Sequence, residues 1–353
     1  MVINKIKTYK GCYGLLFLLI MVCSVKGFGQ RGEEYFKKGK EKADANDYKE
    51  AIKYYDSAII MNPKYLFAYR SRGMARAELK NYKGAIEDLN IVIKIEPKND
   101  TSYSVRSSYK SYLNNHIDAI KDMDSAIKLN KQNSDYYVNR GVEKELLKND
   151  SGALSDYSLA IKLGPDKSYA YFDRSTLEQD LKQYSNAITD YTTVIKFEPK
   201  NKYAFGGRAK CRMELKDYEG AIKDYDEYVK FDSTDDDSYC NRGICYRYIG
   251  DNENALKDFE NAIKINSSND EANYFKGLSE LEKNNILSAY WALINVSRNG
   301  NRWQDAKHVL GHNKFCLAFS FILLGSLVII PIIIIILFVI LIRYTLKKIR
   351  KKQ

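Results

Sequence analysis

One alanine recurs at a constant spacing of 34 residues through most of this 353-residue chain, without insertion or deletion. The eight positions are Ala51, Ala85, Ala119, Ala153, Ala187, Ala221, Ala255 and Ala289. Self-similarity at a fixed period indicates a repeat architecture, in which each unit buries its apolar face against its neighbours. The period therefore predicts a stacked array, not a fold around one central core.

Each 34-residue copy contains two amphipathic segments separated by a polar break. In the copy 66–99, Ala85, Leu89 and Val92 follow the i, i+4, i+7 spacing of a buried helical stripe. Four of the five prolines share one slot after the second segment, where the missing N–H ends a helix. They are Pro63, Pro97, Pro165 and Pro199. Each copy is therefore expected to form a helix–turn–helix unit.

The pattern resembles the tetratricopeptide repeat, which has the same period, a glycine and an aromatic residue in its first helix, and a terminal proline. Tyr69 and Gly73 are such a pair in this chain. The resemblance implies an all-α solenoid, a right-handed superhelix of about eight repeats. The predicted array spans residues 32–303. Its frame is 32–65, 66–99, 100–133, 134–167, 168–201, 202–235, 236–269 and 270–303.

The resemblance also implies a concave groove lined by the first helices, with binding residues beside the packing slots. The candidate binding residues are Arg70, Ser71, Met74, Asn139, Asp173 and Asn241. Other first-helix positions assigned to the groove include Val138, Cys240 and Ile244. Some family members grip a C-terminal carboxylate with Lys and Asn. Here the position after the glycine slot never holds Asn, which disfavours that ligand. The predicted partner is an extended peptide or protein segment.

The net charge of +11 is concentrated at the two ends of the chain. Residues 1–29 carry four lysines and no acid, and residues 343–353 carry six basic residues and no acid, which leaves +1 for the rest. A nearly neutral middle gives no electrostatic reason to expect a polyanion. We therefore predict that nucleic acid is not a partner.

Residues 1–29 have the features of a secretory signal peptide. Three lysines precede an apolar run over residues 11–25, and two glycines then stand before Gln30 in positions suited to cleavage. The run is shorter than the ~20 residues of a typical membrane span. An uncleaved signal anchor is the alternative.

A second apolar segment, residues 315–342, carries no charged side chain. As a helix it would be roughly 42 Å long, enough to cross a hydrocarbon core of ~30 Å. The basic tail 343–353 is predicted to lie in the cytoplasm, near anionic lipid headgroups. The repeats would then face the periplasm or the cell exterior. Residues 304–314 are predicted to be a short polar linker.

The sequence contains no recognisable catalytic constellation. It has three histidines and lacks the common phosphate-binding and nucleophile motifs. His308 and His312 have an i, i+4 spacing, but no accompanying ligands complete a metal site. Cys211 and Cys245 fill equivalent slots of adjacent repeats, ~10 Å apart, too far for a disulfide. We predict buried free thiols, no enzyme activity, no cofactor and no metal.

These features favour a membrane-anchored, non-catalytic scaffold that binds a protein or peptide partner in its groove. A sensory protein is the first alternative; its repeats would sense a ligand and signal through the membrane helix to a partner. The second alternative is an accessory subunit of an envelope assembly or export complex.

Overall fold

The computed structural model describes residues 30–297 and 300–312, which form seventeen α-helices and no strand. Residues 30–44 form α1. The later helices are α2 (Tyr48–Met61), α3 (Leu66–Glu78), α4 (Tyr82–Ile95), α5 (Asp100–Tyr112), α6 (His116–Leu129), α7 (Ser134–Leu146), α8 (Asp150–Leu163), α9 (Ser168–Asp180), α10 (Tyr184–Phe197), α11 (Lys202–Glu214), α12 (Tyr218–Phe231), α13 (Asp236–Tyr248), α14 (Asn252–Ile265), α15 (Asp270–Glu282), α16 (Ile286–Ile294) and α17 (Trp303–His312).

A short turn of constant geometry joins the two helices of each repeat. Its middle residue adopts the left-handed conformation, as Lys80 does with φ of 59° and Gly250 with φ of 84°. The next residue caps the second helix; the Asn81 side chain accepts a hydrogen bond from the Gly84 N–H at 3.1 Å. Such a cap satisfies one of the four free N–H groups at a helix start. The polar break in the sequence is this turn.

The recurring alanines lie where the two helices of a repeat meet, and all eight are fully buried. Glycine in the first helix permits a similarly close approach. A Cβ atom at Gly141 would stand 2.6 Å from Cε1 of Tyr157, and one at Gly243 would stand 2.8 Å from Cε1 of Phe259. In these two repeats a glycine on the first helix faces a large aromatic ring on the second helix, and this pairing sets the distance between the two helices of a repeat.

The chain divides into two compact units, residues 1–177 and residues 178–353, with the boundary inside α9. In the first unit, the largest core cluster surrounds Tyr157 on α8 and includes Tyr137 on α7. In the second unit, Phe259 on α14 packs with Cys240 on α13 and Phe275 on α15. Each core is thus built from successive helix pairs, as expected for stacked repeats.

The segment after the eighth repeat is a helix and not the predicted polar linker. Ala306 on α17 is fully buried, and it packs with Leu293 and Val296 at the end of the preceding repeat. Arg302, just before α17, forms an ion pair with Glu271 on α15 at 2.7 Å. This helix covers apolar surface that the last repeat would otherwise expose to water.

Three predictions concern segments outside the described residues: the signal peptide over 1–29, the membrane helix over 315–342 and the basic tail over 343–353. None of the helices in residues 30–297 and 300–312 is long and apolar enough to cross a membrane. The membrane assignment stays a prediction from the sequence.

Candidate binding groove

Tyrosine side chains from second helices make buried hydrogen bonds to the first helix of the same repeat. Tyr157 is fully buried, and its hydroxyl donates a hydrogen bond to Oε2 of Glu145 on α7 at 2.8 Å. In the second unit, Tyr191 is 1% exposed, and its hydroxyl donates to Oε1 of Gln179 at 3.0 Å. These hydroxyls are therefore core groups that connect the two helices of a repeat.

Two of the candidate binding residues, Arg70 and Met74, lie together in the first unit. They line a cavity of about 260 Å³ between α3 and α5, with Val105 and Tyr109 on its other side. Met74 is 61% exposed although it is apolar. Arg70 forms an ion pair with Glu96 at the end of α4. The cavity therefore offers an apolar surface with a charged pair at its edge.

The other candidates are dispersed along the first helices. Ser71 lies on α3 near the Tyr55 hydroxyl, and Asn139 is exposed on α7. Asn241 lines a cavity in the second unit. These residues are positioned one repeat at a time and do not form one compact site.

Three of the wider groove assignments fall on buried side chains. Val138, Cys240 and Ile244 are buried in helix packing, although Cys240 also lines the cavity that contains Asn241. Beside Val138 and Cys240, the neighbouring residues Asn139 and Asn241 are more exposed. A change of one residue rotates a helical side chain by about 100°, which separates a groove position from a core position.

The Asp173 carboxyl on α9 has an unusual electrostatic environment. Burial, together with the negative charge of Glu145, raises its pKa to about 6. The Tyr157 hydroxyl lies beside the same group, and its pKa is also raised by burial and by Glu145. Desolvation disfavours the ionised form of a carboxyl group, and a nearby like charge adds to the effect. The Asp173 carboxyl therefore ionises at a higher pH than an ordinary aspartate, and its assignment to the groove stays a prediction.

The second unit has a larger and more polar groove cavity, of about 380 Å³. Lys210 on α11, Asn241 on α13 and Glu271 on α15 line it. Lys210 and Asn241 also line a neighbouring cavity of about 170 Å³ between α11 and α13. The two cavities also share Asp237 in their linings, and we call them together the α11–α13 cleft.

Ion pairs between buried aspartates and arginines recur through the repeats, and the sequence analysis missed them. Each arginine stands directly before the first-helix position that holds Gly73 in the copy 66–99. Each aspartate stands directly before the second-helix position that holds Leu89 in that copy. The pairs are Arg72–Asp88, Arg106–Asp122, Arg140–Asp156, Arg208–Asp224 and Arg242–Asp258. Both residue types recur with the 34-residue period, so the signal was present in the sequence.

Each of these arginines also contacts the preceding repeat. Arg140 binds Asp156 in its own repeat at 2.7 Å and Asp124 on α6 at 2.6 Å. Its guanidinium also lies 5.6 Å from the centre of the Tyr137 ring. A planar fork of donors suits such simultaneous contacts. These contacts connect each repeat to the one before it and so stabilise the stack.

The described residues show no arrangement suited to metal or thiol chemistry. No group of three His, Cys, Asp or Glu side chains in residues 30–297 and 300–312 could hold a metal ion. Cys211, Cys240 and Cys245 are free and buried, and burial raises the pKa of the Cys211 thiol to about 12. A thiol with a raised pKa is a poor nucleophile at neutral pH.

Comparisons with known proteins agree with this geometry. Models of the tetratricopeptide repeat match residues 36–100, 172–236 and 237–269. No curated protein sequence matches the chain. The chain is a tetratricopeptide repeat protein, and the prediction of an all-α solenoid of that type is confirmed.

Several solved structures share the fold at low sequence identity. A tetratricopeptide repeat protein from Parabacteroides merdae is 18% identical with a TM-score of 0.52, and the match covers 71% of this chain and 99% of that one. The C-terminal part of a repeat protein from Cytophaga hutchinsonii is 16% identical with a TM-score of 0.59, covering 67% and 97%. YrrB, described as having an unusual peptide-binding site, is 18% identical with a TM-score of 0.50, covering 53% and 96%.

Proposed function

We propose that this protein is a non-catalytic, membrane-anchored scaffold whose repeats bind an extended peptide or protein segment. Tetratricopeptide repeats indicate a protein–protein interaction scaffold, and one protein of similar fold is described as peptide-binding. The observation that carries the proposal is the cavity between α3 and α5. It combines an exposed methionine with the Arg70–Glu96 pair at its edge.

The chemistry of this cavity suits an apolar side chain of a peptide. Met74 is flexible and polarizable, and such side chains adapt to apolar partners. Removing apolar surface from water contributes roughly 25 cal/mol per Å². Asn99, Thr101 and Ser102 at the other side of the cavity supply polar groups that can meet a peptide backbone. The combination is typical of a binding site with an apolar centre and a polar edge.

The test is affinity capture from a membrane extract of the source cell, with the full solubilised chain as bait. Met74→Asp should reduce recovery of specific partners about tenfold, as expected for loss of an apolar anchor. Ile60→Asp is the matched control, because Ile60 is 72% exposed on a second helix. Equal recovery with both variants, or no specific partner at all, would contradict groove binding.

The membrane part of the proposal rests on sequence composition. An apolar segment at 315–342 followed by a basic tail favours a single anchor with a cytoplasmic C-terminus. Reporter fusions after Asn301 and after Gln353 test this arrangement. We expect an external reporter signal from the first fusion and a cytoplasmic signal from the second. Cytoplasmic signals from both would overturn the topology.

A further inference from the structure

The first helices have a recurring position, the second residue of the 34-residue frame, that carries a carboxylate in four repeats. These residues are Glu33, Asp135, Asp237 and Glu271. In two of the four, the chain itself supplies a cation. Asp135 is 3.3 Å from Nζ of Lys167, and Glu271 is 2.7 Å from the guanidinium of Arg302.

Asp237 has no such partner among the described residues. The Asn269 side-chain amide donates a hydrogen bond to its Oδ1 at 3.4 Å. Burial raises its pKa, and the charges of Asp236 and Asp235 raise it further; Lys210 acts in the opposite direction. An additional cation would relieve the repulsion among these carboxylates, because an opposite charge nearby favours the ionised form.

Asp237 is exposed where it lines the α11–α13 cleft. Gly206 and Gly207 on α11 line the same cleft, and aromatic rings of second helices pack against both glycines. A Cβ atom at Gly206 would stand 2.9 Å from Cδ2 of Tyr228, and one at Gly207 would overlap Cζ of Tyr191. The glycines therefore let these rings approach α11 closely, and the ring of Tyr228 lies in the same cleft as the carboxylate.

Aromatic rings line the same cleft. Tyr203 is exposed, and Tyr228 is partly buried; both contribute to its surface. Rings of this kind attract cations through their π-systems. The chain already uses this combination one repeat further on, where Arg302 lies 5.4 Å from the ring centre of Tyr274 while it binds Glu271.

We propose that the α11–α13 cleft accepts a lysine or arginine side chain of the bound peptide, with its charge placed at Asp237 and its stem against Tyr203 and Tyr228. The proposal rests on the function proposed above and adds the chemistry of the partner. Lys210 at the edge of the cleft disfavours a second positive charge beside the first. The cleft therefore selects one basic residue and not a basic run.

The test starts from a displayed library of random peptides, selected for binding to the full chain. We expect enrichment of lysine or arginine at one position. An enriched peptide should bind Asp237→Asn about tenfold more weakly than the unmodified chain. Glu253→Gln is the matched control, because Glu253 is an exposed carboxylate on the second helix α14, and it should leave the affinity unchanged.

Replacement of the basic residue of that peptide by glutamine completes a double-mutant cycle. This peptide should bind weakly to the unmodified chain and equally weakly to Asp237→Asn. Asp237→Lys should prefer the same peptide with glutamate at that position. These results would be specific to a direct charge contact.

The inference is overturned if selected peptides show no basic enrichment, or if Asp237→Asn weakens binding no more than Glu253→Gln does. Enrichment of acidic peptides would overturn it too, since that would assign recognition to Lys210. Met74-dependent binding without a basic residue would retain the scaffold function and remove only this inference. A selection that yields no binding peptide would contradict both proposals.

Discussion

Asp156 shows how single residues stabilise this array. Its carboxylate is buried and accepts contacts from Arg140 at 2.7 Å and from Lys144 at 2.7 Å. Both cations lie on α7, and the aspartate lies on α8, so the contacts hold the two helices of the repeat together. Removing one member of a buried ion pair is costly because the remaining charges lose their compensation.

We predict that Asp156→Asn lowers the local free energy of unfolding of α7 and α8 by about 3 kcal/mol. Asp124→Asn is the matched control. Asp124 binds the same Arg140, but its side chain is 54% exposed, and exposed pairs contribute roughly 0–1 kcal/mol. Amide hydrogen exchange of the two variants measures the difference. Equal protection in both would show that the buried pair adds no more than the exposed one.

At the scale of elements, the helices of the repeats were largely predictable from the sequence. The frame 66–99 contains α3 and α4 because its apolar stripe, polar turn and proline act together. In contrast, α17 was missed. Of its described side chains, Ala306 alone is fully buried, and Val309 and Leu310 pack partly buried against the same cluster. A ten-residue helix is too short to be stable by itself and is stabilised by tertiary packing, and the 34-residue period does not extend to it.

Ala306→Glu tests this account of α17. The change places a charged group where Ala306 contacts Leu293 and Val296, and an unpaired buried charge is strongly unfavourable. We expect α17 to detach and hydrogen exchange to increase over α16 and α17. Lys307→Glu, at an exposed position of the same helix, should leave exchange unchanged. Protection of α17 in both variants would contradict the contact between α17 and the last repeat.

The candidate site was less predictable than the helices, and the reason is again physical. Arg70 and Met74 meet in one cavity because α3 and α5 stack as the family pattern implies. In the α11–α13 cleft, Gly206 and Gly207 depart from that pattern, and they let the rings of Tyr228 and Tyr191 pack closely against α11. Two of the carboxylates equivalent to Asp237 pair with cations that come later in the chain, Lys167 and Arg302. Which side chains come close enough to form such pairs depends on the packing of the helices, which the repeat pattern alone does not specify.

At the scale of the whole molecule, the chain is a succession of local contacts. Within each unit a helix packs chiefly against the helices next to it in sequence, as α7 does with α6 and α8. The stability of such an array is approximately a sum of repeat and nearest-neighbour terms. A local defect should therefore open the repeats beside it and leave distant ones protected.

Asp156 and Asp224 provide a matched pair of probes for this property, one in each unit. Asp224 is buried and binds Arg208 at 2.6 Å and Arg212 at 2.7 Å. We predict that Asp156→Asn raises hydrogen exchange in α5 to α8, and that Asp224→Asn raises it in α11 to α14. In the double variant, the increase in hydrogen exchange should be the sum of the increases in the two single variants, because distant sites act independently. Increased exchange through all described helices in either single variant would instead show that the array unfolds as one cooperative body.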